Sequence, residues 1–89
     1  MNLRLAKSLC GHDKNEIYVV YREENDFVYL INGKTKTIEK PKRKKQRHIQ
    51  IIKNLPEEII EMVSQELTNE TAKKIIKHYV RSIQCQKQM

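Results

Sequence analysis

The chain has 89 residues, of which 38% are hydrophobic and 33% are charged, which suits one small domain or a small domain with an appendage. Its two cysteines lie far apart in the sequence, so no disulfide framework is predicted and a reduced, intracellular protein is favoured. No apolar run approaches the roughly 20 residues that span a bilayer, and the first residues lack the apolar core of a signal peptide. The sequence therefore predicts a cytoplasmic protein without a membrane partner.

The charge is strongly basic and unevenly distributed. Eighteen Lys and Arg against 11 Asp and Glu give a formal net charge of +7, which favours polyanionic partners, with nucleic acid ahead of anionic membrane. Residues 1–54 carry 13 basic against 6 acidic residues, whereas residues 55–89 carry 5 of each. This asymmetry predicts two parts that meet near Pro56, with the whole basic excess in the first part.

Five short stretches of the first part predict β-strands, because each is rich in β-branched or aromatic residues or alternates apolar with polar residues. Asn32-Gly33 is typical of a tight type I′ turn, which would return the chain as a third consecutive antiparallel strand. Five strands this close together favour a closed barrel, since an open sheet would leave both edges unpaired. The predicted strands cover residues 3–9, 17–21, 27–31, 34–38 and 48–52.

The first predicted loop, residues 10–15, contains two residues that adopt a left-handed backbone at little cost, Gly11 and Asn15. The chain can therefore turn sharply at both positions. His12 and Lys14 are then expected to be exposed at the tip of the loop.

The most basic stretch, residues 40–48, holds six Lys or Arg residues in nine positions. It is predicted to be a loop between the last two strands, kept extended by Pro41. Such a run suits a nucleic-acid backbone, because each neutralised phosphate releases a condensed counterion. The alternative is a solvated loop whose charges only raise solubility. His48 could stack on a base, or it could simply begin the last strand.

We expect the basic run to lie along one wall of the barrel, within reach of the first loop, so that both can contact a nucleic-acid backbone. Lys and Arg position a nucleic-acid backbone and do not by themselves specify its sequence. Replacing residues 42–45 together with Gln or Ser is expected to abolish RNA binding and to leave the fold intact. The predicted contact residues are Lys40, Lys42, Arg43, Lys44, Lys45, Arg47, His48, His12 and Lys14.

Three stretches resemble the KOW motif: Ala-Lys-Ser-Leu-Cys-Gly-His-Asp-Lys at 6–14, Ile-Tyr-Val-Val at 17–20 and Leu-Ile-Asn-Gly-Lys at 30–34. The chain resembles in particular the small bacterial KOW-domain RNA-binding proteins, which are related to a KOW-containing large-subunit ribosomal protein family of archaea and eukaryotes. Their Lys-Pro-Lys-Lys-Lys-rich segment is similar to residues 40–50. The resemblance implies an SH3-like barrel that binds ribosomal RNA or ribosome-associated partners. The family usually has Gly where this chain has Asn15, which reaches the same positive φ at higher cost.

The second part, residues 55–89, predicts a helical hairpin. Pro56 suits the first position of a helix whose early Glu residues complement the helix dipole. An apolar face continues to Leu67, and a second amphipathic helix is expected to begin near Thr68 or Asn69 after a link of two residues. Two such short helices are expected to dock on the barrel, with the chain fraying from Gln84 onward.

The second helix carries a basic face opposite its apolar stripe. This face is either a secondary RNA contact or a solvated surface that pairs with Glu residues of the neighbouring helix. The secondary contact residues predicted there are Lys73, Lys77 and Arg81.

The aromatic residues of the strands allow two interpretations. They could form a stacking platform for unpaired bases, as on other β-surfaces that bind RNA. Core packing is the favoured interpretation, because a barrel this small needs its aromatic side chains inside. The residues concerned are Tyr18, Tyr21, Phe27 and Tyr29.

Metal and enzyme chemistry find little support in the sequence. The cysteines and histidines at 10, 12, 78 and 85 match no compact zinc spacing, so no metal is predicted. Two glycines in total cannot form a Gly-rich phosphate loop, and no nucleophile stands in a recognisable setting. A non-enzymatic protein without cofactor or small-molecule substrate is therefore expected.

The sequence as a whole predicts a mostly β protein with α-helices: a small five-stranded SH3-like barrel over 1–54, followed by an αα-hairpin over 55–89. The predicted function is a monomeric RNA-binding module, associated with the ribosome, whose partners are ribosomal RNA and ribosomal proteins. The alternative is a protein–protein interaction module of the ribosome or the transcription machinery, and a general DNA-binding protein would use the same charges.

Overall fold

The computed structural model describes residues 3–62 and 65–87, with side chains as far as Ile83. In this part of the chain five strands precede two helices, and a 3-10 turn over Gln46–His48 separates the last two strands. The strands are β1 (Leu5–Ser8), β2 (Ile17–Glu24), β3 (Phe27–Ile31), β4 (Lys42–Lys45) and β5 (Ile49–Ile52), and the helices are α1 (Glu57–Met62) and α2 (Asn69–Lys87).

The strands form one antiparallel sheet in the order β4-β3-β2-β1-β5. The predicted pairing of the last strand with the first is confirmed, with Leu5 opposite Ile52 and Ser8 opposite Ile49. β4 and β5 are the two edges and do not pair with each other, so the sheet is open.

The prediction of a third strand over 34–38 is wrong. The Oδ1 atom of Asn32 accepts hydrogen bonds from the backbone N–H groups of Lys34, Thr35 and Lys36, at 2.9, 3.1 and 3.0 Å. This side-chain cap closes a compact local turn, and the expected hairpin does not form.

The segment after β3 is held against the start of α2. Gly33 has φ +82°, and a Cβ there would overlap the backbone carbonyl of Asn69. The Asn69 side chain accepts a hydrogen bond from the Ile38 N–H at 2.9 Å and donates one to Glu39 at 3.1 Å. Because 32–39 is tied to the helix, the free edge of β3 is taken by residues 42–45, so the basic run predicted as a loop is in part a strand.

β2 is longer than predicted. Residues 22–24, expected in a charged turn, continue the strand, and the chain reverses over Asn25 and Asp26, with Asn25 at φ +55°. The pairing of β2 with β3 shifts register between Val20 and Arg22, which marks a β-bulge at Tyr21.

Both faces of the sheet are buried over part of their area. The face under the helices, called the helix face, contributes Leu5, Val19 and Ile31 to a cluster completed by Ile59, Ala72 and Ile75. The opposite face buries a second cluster, and neither helix contributes to it. β4 and β5 are joined by only three residues, so the two edges converge and the sheet curls over this face. The second cluster contains Ala6, Tyr18, Val20, Val28, Leu30 and Ile49.

The two helices follow the sequence prediction with changes at their ends. α1 covers Glu57–Met62 of the described residues, and residues 65–68 are not helical, so the link is longer than the expected two residues. Thr68 caps α2 as predicted, since its Oγ1 accepts a hydrogen bond from the Thr71 N–H at 3.0 Å. The end predicted to fray from Gln84 is helical to Lys87, and residues 88–89 lie outside the described residues. Among the described residues, neither helix has the length and apolar character needed to cross a bilayer.

Candidate nucleic-acid interface

The loop at 10–15 is shaped by the two left-handed residues that the sequence predicts. Gly11 has φ +91° and Asn15 has φ +75°. The Asn15 N–H donates to the Ser8 carbonyl at 2.8 Å, which closes the loop at the end of β1. His12 and Lys14 are exposed, as predicted, whereas the Asp13 side chain between them is turned inward and only 11% exposed.

Asp13 is the centre of a polar cluster between this loop, β2 and β4. Its Oδ1 accepts hydrogen bonds from Lys44 Nζ at 2.6 Å and Ser8 Oγ at 3.0 Å. Its Oδ2 accepts one from the Tyr18 hydroxyl at 2.8 Å and lies 3.3 Å from Lys42 Nζ. We call Ser8, Asp13, Tyr18, Lys42 and Lys44 the Asp13 cluster.

The carboxyl group at the centre of the Asp13 cluster is ionised. Burial alone would raise the pKa of Asp13, but the hydrogen bonds from Lys44, Tyr18, Ser8 and Lys42 together hold it well below its usual range. Burial and the hydrogen bond to Asp13 raise the pKa of Tyr18, so its hydroxyl remains a donor at neutral pH. Lys44 is only 9% exposed and also donates to the Cys10 carbonyl at 2.8 Å. The cluster therefore fastens the first loop to β4.

The pleat of β4 divides the basic run into two sets. Lys42 lies opposite Leu30 and Lys44 opposite Val28, both residues of the second core cluster, so these two lysines point toward Asp13. Arg43 and Lys45 alternate with them and are exposed on the helix face. We therefore no longer expect that residues 42–45 can all be substituted together without harm to the fold. Only the exposed residues of the run are expected to tolerate substitution.

The exposed residues of the run continue on both sides of the strand. Lys40 precedes β4, and Arg47 lies in the 3-10 turn that follows it. That turn is fixed beside the β2–β3 turn, because Gln46 donates from its backbone to Asp26 at 2.8 Å and from its side chain to Asn25 at 3.0 Å. We call Lys40, Arg43, Lys45 and Arg47 the exposed row.

The cations of the exposed row form no ion pairs within the described part of the chain. None of its members has an ion pair with a described Asp or Glu within 4.0 Å, and the same holds for Lys14 in the first loop. Charges without an internal partner are the ones that can neutralise an external anion. His48 is half-buried, and its carbonyl accepts a hydrogen bond from the Leu9 N–H at 2.9 Å, which brings the end of the run beside the first loop as predicted.

The aromatic residues do not all pack in the core. Tyr18 is buried, as the favoured interpretation predicts, but Tyr21 is exposed at the bulge and Phe27 and Tyr29 are half-buried on the helix face. Arg22 lies over the Tyr29 ring with its Cζ 4.7 Å from the centroid, and Arg43 lies over the Phe27 ring at 4.6 Å. The signal for this arrangement is the alternation along 27–31, which places Phe27 and Tyr29 on one face and their apolar neighbours on the other.

The basic face of α2 lies on another part of the surface. α2 packs on β2, whereas the exposed row belongs to the β4 edge. Lys73 pairs with Glu70 at 3.6 Å, and Lys77 and Arg81 are exposed. These three line a groove with Lys34 between the helix and the start of β2. The structure therefore does not join the predicted secondary residues to the basic run.

Neither a metal site among the described residues nor a matching relative indicates a function for this chain. Within the described residues no three His, Cys, Asp or Glu side chains are placed to hold a metal ion, and the side chain of Cys85 lies outside them. No protein-family model matches the chain, and no curated protein matches it.

Proposed function

We propose that the protein is a non-enzymatic RNA-binding module that docks on structured ribosomal RNA through phosphate contacts. The proposal is supported by the exposed row, four exposed cations along one edge strand and its flanks that form no ion pair with a carboxylate among the described residues. Lys14 and His12 extend this surface from the first loop, and His48 stands at its end. Phosphate contacts of this kind supply affinity and register without reading a base sequence.

Rigidity distinguishes this surface from a solvated basic loop. Alternate residues of a strand are about 6.6 Å apart, so the spacing of Arg43 and Lys45 is set before any ligand binds. Lys44 and Lys42 fasten the same strand to Asp13 from its other side. A backbone that is already ordered loses less conformational entropy on binding, which favours a specific anion-binding role over a purely solubilising one.

We propose further that the curled sheet is an SH3-like barrel of the KOW type, in which the 3-10 turn brings the two edge strands together. The resemblance of residues 6–14, 17–20 and 30–34 to the KOW motif supports this proposal. The same resemblance supports a cytoplasmic, ribosome-associated role with ribosomal proteins as further partners.

A second candidate is a protein-interaction module of the ribosome or the transcription machinery. It is favoured by a groove between the β1–β5 edge and α2, whose walls include Ile51, Ile52, Tyr79 and Ile83. The apolar part of this lining suits a peptide or helix of a protein partner better than it suits phosphates, although Lys7 and Lys53 also lie in the groove.

Salt dependence distinguishes the two candidates. Fluorescence anisotropy with a labelled RNA hairpin, repeated over a range of salt concentrations, measures how many phosphates the protein neutralises. Four contacts predict a slope of log affinity against log salt of about −3 to −4 on duplex RNA. A DNA hairpin of the same sequence, run in parallel, tests the preference for RNA. Absence of RNA binding at low salt would contradict the proposal and leave the protein-interaction module as the better candidate.

A further inference from the structure

The outer end of the helix face carries two aromatic rings, each covered by an arginine. Arg22 of β2 lies over Tyr29 of β3, and Arg43 of β4 lies over Phe27 of β3. Neither ring belongs to the core cluster beneath the helices. A guanidinium that lies over a half-buried ring on the strand surface presents a flat face on which a ligand can stack.

The β-bulge places Arg22 on this face. Val19 belongs to the helix face, and in a regular strand a residue three positions later would point to the other side. The extra residue at Tyr21 restores the alignment, so that Arg22 pairs with Tyr29 and lies on the helix face. Bulges often redirect a side chain at a functional site.

The charge of Arg22 argues against a phosphate as its ligand. Glu24 lies 3.1 Å from the Arg22 guanidinium and reduces its attraction for an anion. Its flat face is still exposed, since the side chain is 60% accessible. A guanidinium plane that is neutralised by a carboxylate can still stack on a base.

A shallow depression adjoins the second pair and offers groups for the rest of a nucleotide. Its walls are formed by Asp26, Phe27, Gln46 and two members of the exposed row, Lys45 and Arg47. The ring and guanidinium would hold the base, and the two cations would hold the neighbouring phosphates. The Gln46 Nε2 already donates to the Asn25 carbonyl, so the Gln46 side chain would accept a hydrogen bond from a base edge through its oxygen.

We propose that the pairs Arg22–Tyr29 and Arg43–Phe27 are stacking sites for two unpaired bases, so that the preferred ligand is a single-stranded or looped segment of RNA. The inference rests on the proposed function and narrows its ligand. The two covered rings are alternate residues of β3, so the two stacking sites are about 6.6 Å apart along the strand, roughly twice the rise between stacked bases. Bases at that separation cannot stack on each other, and such splayed bases occur in single-stranded loops and ends.

Three labelled RNA probes of equal length distinguish the contribution of the bases to affinity from that of the phosphates. They are a uridine dodecamer, an abasic dodecamer with the same backbone, and a twelve-base-pair duplex. Fluorescence anisotropy at low salt measures the affinity of each for the full chain. We expect the uridine dodecamer to bind at least about tenfold more tightly than the abasic one, because each base–aromatic stack contributes substantially to affinity.

The decisive variant replaces both rings while keeping every charge, Phe27→Leu with Tyr29→Leu. We expect it to lose about tenfold or more in affinity for the uridine dodecamer and less than about twofold for the duplex. Tyr21→Leu is the matched control, because Tyr21 is an exposed strand tyrosine with no arginine over it among the described residues. It should bind all three probes as the parent protein does.

If the double leucine variant does not fold, as judged by circular dichroism, a second variant tests the stacking sites. Arg22→Lys keeps the charge and loses the flat guanidinium, and it should weaken only the uridine dodecamer, by about threefold or more. Its control is Arg4→Lys, since Arg4 also pairs with a carboxylate, that of Glu23, but covers no ring among the described residues.

The outcomes separate this inference from the proposed function. Equal binding of the uridine and abasic dodecamers, or equal losses on single-stranded and duplex probes, would overturn the stacking sites while the phosphate surface stands. Failure of the parent protein to bind any of the three RNA probes would overturn the proposed function and the stacking sites together.

Discussion

The two sides of strand β4 carry the same type of residue in different environments. Lys42 and Lys44 point into the Asp13 cluster, where Lys44 is almost completely buried. Arg43 and Lys45, one position along, are exposed and have no carboxylate partner among the described residues. One basic run thus contributes both to the stability of the fold and to a candidate binding surface.

A count of the charges in the run therefore overstates the number of charges available to a ligand. A buried lysine and the carboxylate that it pairs with form a neutral pair, which attracts an external phosphate only weakly. Breaking the pair leaves an uncompensated ion in the interior. An exposed lysine contributes little to folding but keeps its attraction for phosphate. Variants on the two sides of β4 should therefore affect different measurements.

The largest expected effect is on stability, from Lys44→Met. Removing the ammonium group leaves the mostly buried Asp13 carboxylate with weaker partners, which should lower the free energy of unfolding by about 3 kcal/mol. Guanidinium unfolding followed by circular dichroism measures it. Lys45→Met is the matched control on the exposed side and should change stability by less than about 0.5 kcal/mol. Equal losses in the two variants would remove the distinction between the two sides.

The second effect is the pH dependence that Asp13 gives to stability. Since its pKa is lower in the folded protein than in the unfolded chain, its contribution is complete at neutral pH and is lost as pH falls. The loss should begin near pH 5 and amount to about 2–3 kcal/mol under strongly acidic conditions. Asp13→Asn should be less stable at neutral pH and should lack most of this slope. An unchanged acid slope in the variant would show that Asp13 is not the responsible group.

A smaller effect is expected from Tyr18→Phe. The substitution keeps the buried ring and removes only the hydroxyl that donates to Asp13 at 2.8 Å. A hydrogen bond to a charged acceptor suggests a loss of about 1.5 kcal/mol. Thermal unfolding of the variant, with Tyr21→Phe as control at an exposed position, measures it. RNA affinity should not change in either variant, and a loss of affinity in Tyr18→Phe would mean that the cluster shapes the binding surface directly.

Much of the fold could be predicted because local signals agree with the final structure. β-Branched residues predict β2 and β3, the alternation over 48–52 predicts β5, and Thr68 predicts the start of α2. Gly11 and Asn15 predict the turns of the first loop. In these places the residue type and the tertiary environment favour the same conformation.

β4 could not be predicted because its conformation comes from its neighbours. Consecutive Lys and Arg residues have low strand propensity, but the edge of β3 offers hydrogen bonds and Asp13 offers a partner for alternate lysines. The hairpin predicted at Asn32-Gly33 does not form, because the Asn32 side chain caps a local turn and Gly33 packs against α2. Tertiary contacts decided both places.

The candidate site was predicted in outline and not in detail. The basic run and the first loop do lie together, as Lys44 and Asp13 show. Which cations are free depends on the register of β4 with β3, and a sequence without that register cannot supply it. The position of Arg43 over Phe27 follows from the same register, whereas Arg22 reaches Tyr29 through the bulge in β2.

The most direct test of the account compares RNA affinity in a variant that changes only the exposed side, Arg43→Gln, Lys45→Gln and Arg47→Gln. Anisotropy with the RNA hairpin is measured over a range of salt concentrations, and guanidinium unfolding is measured on the same sample. The account predicts that the slope of log affinity against log salt becomes less negative by about 2–3, with stability preserved within about 0.5 kcal/mol. Parental affinity and an unchanged salt slope in a folded triple variant would contradict it.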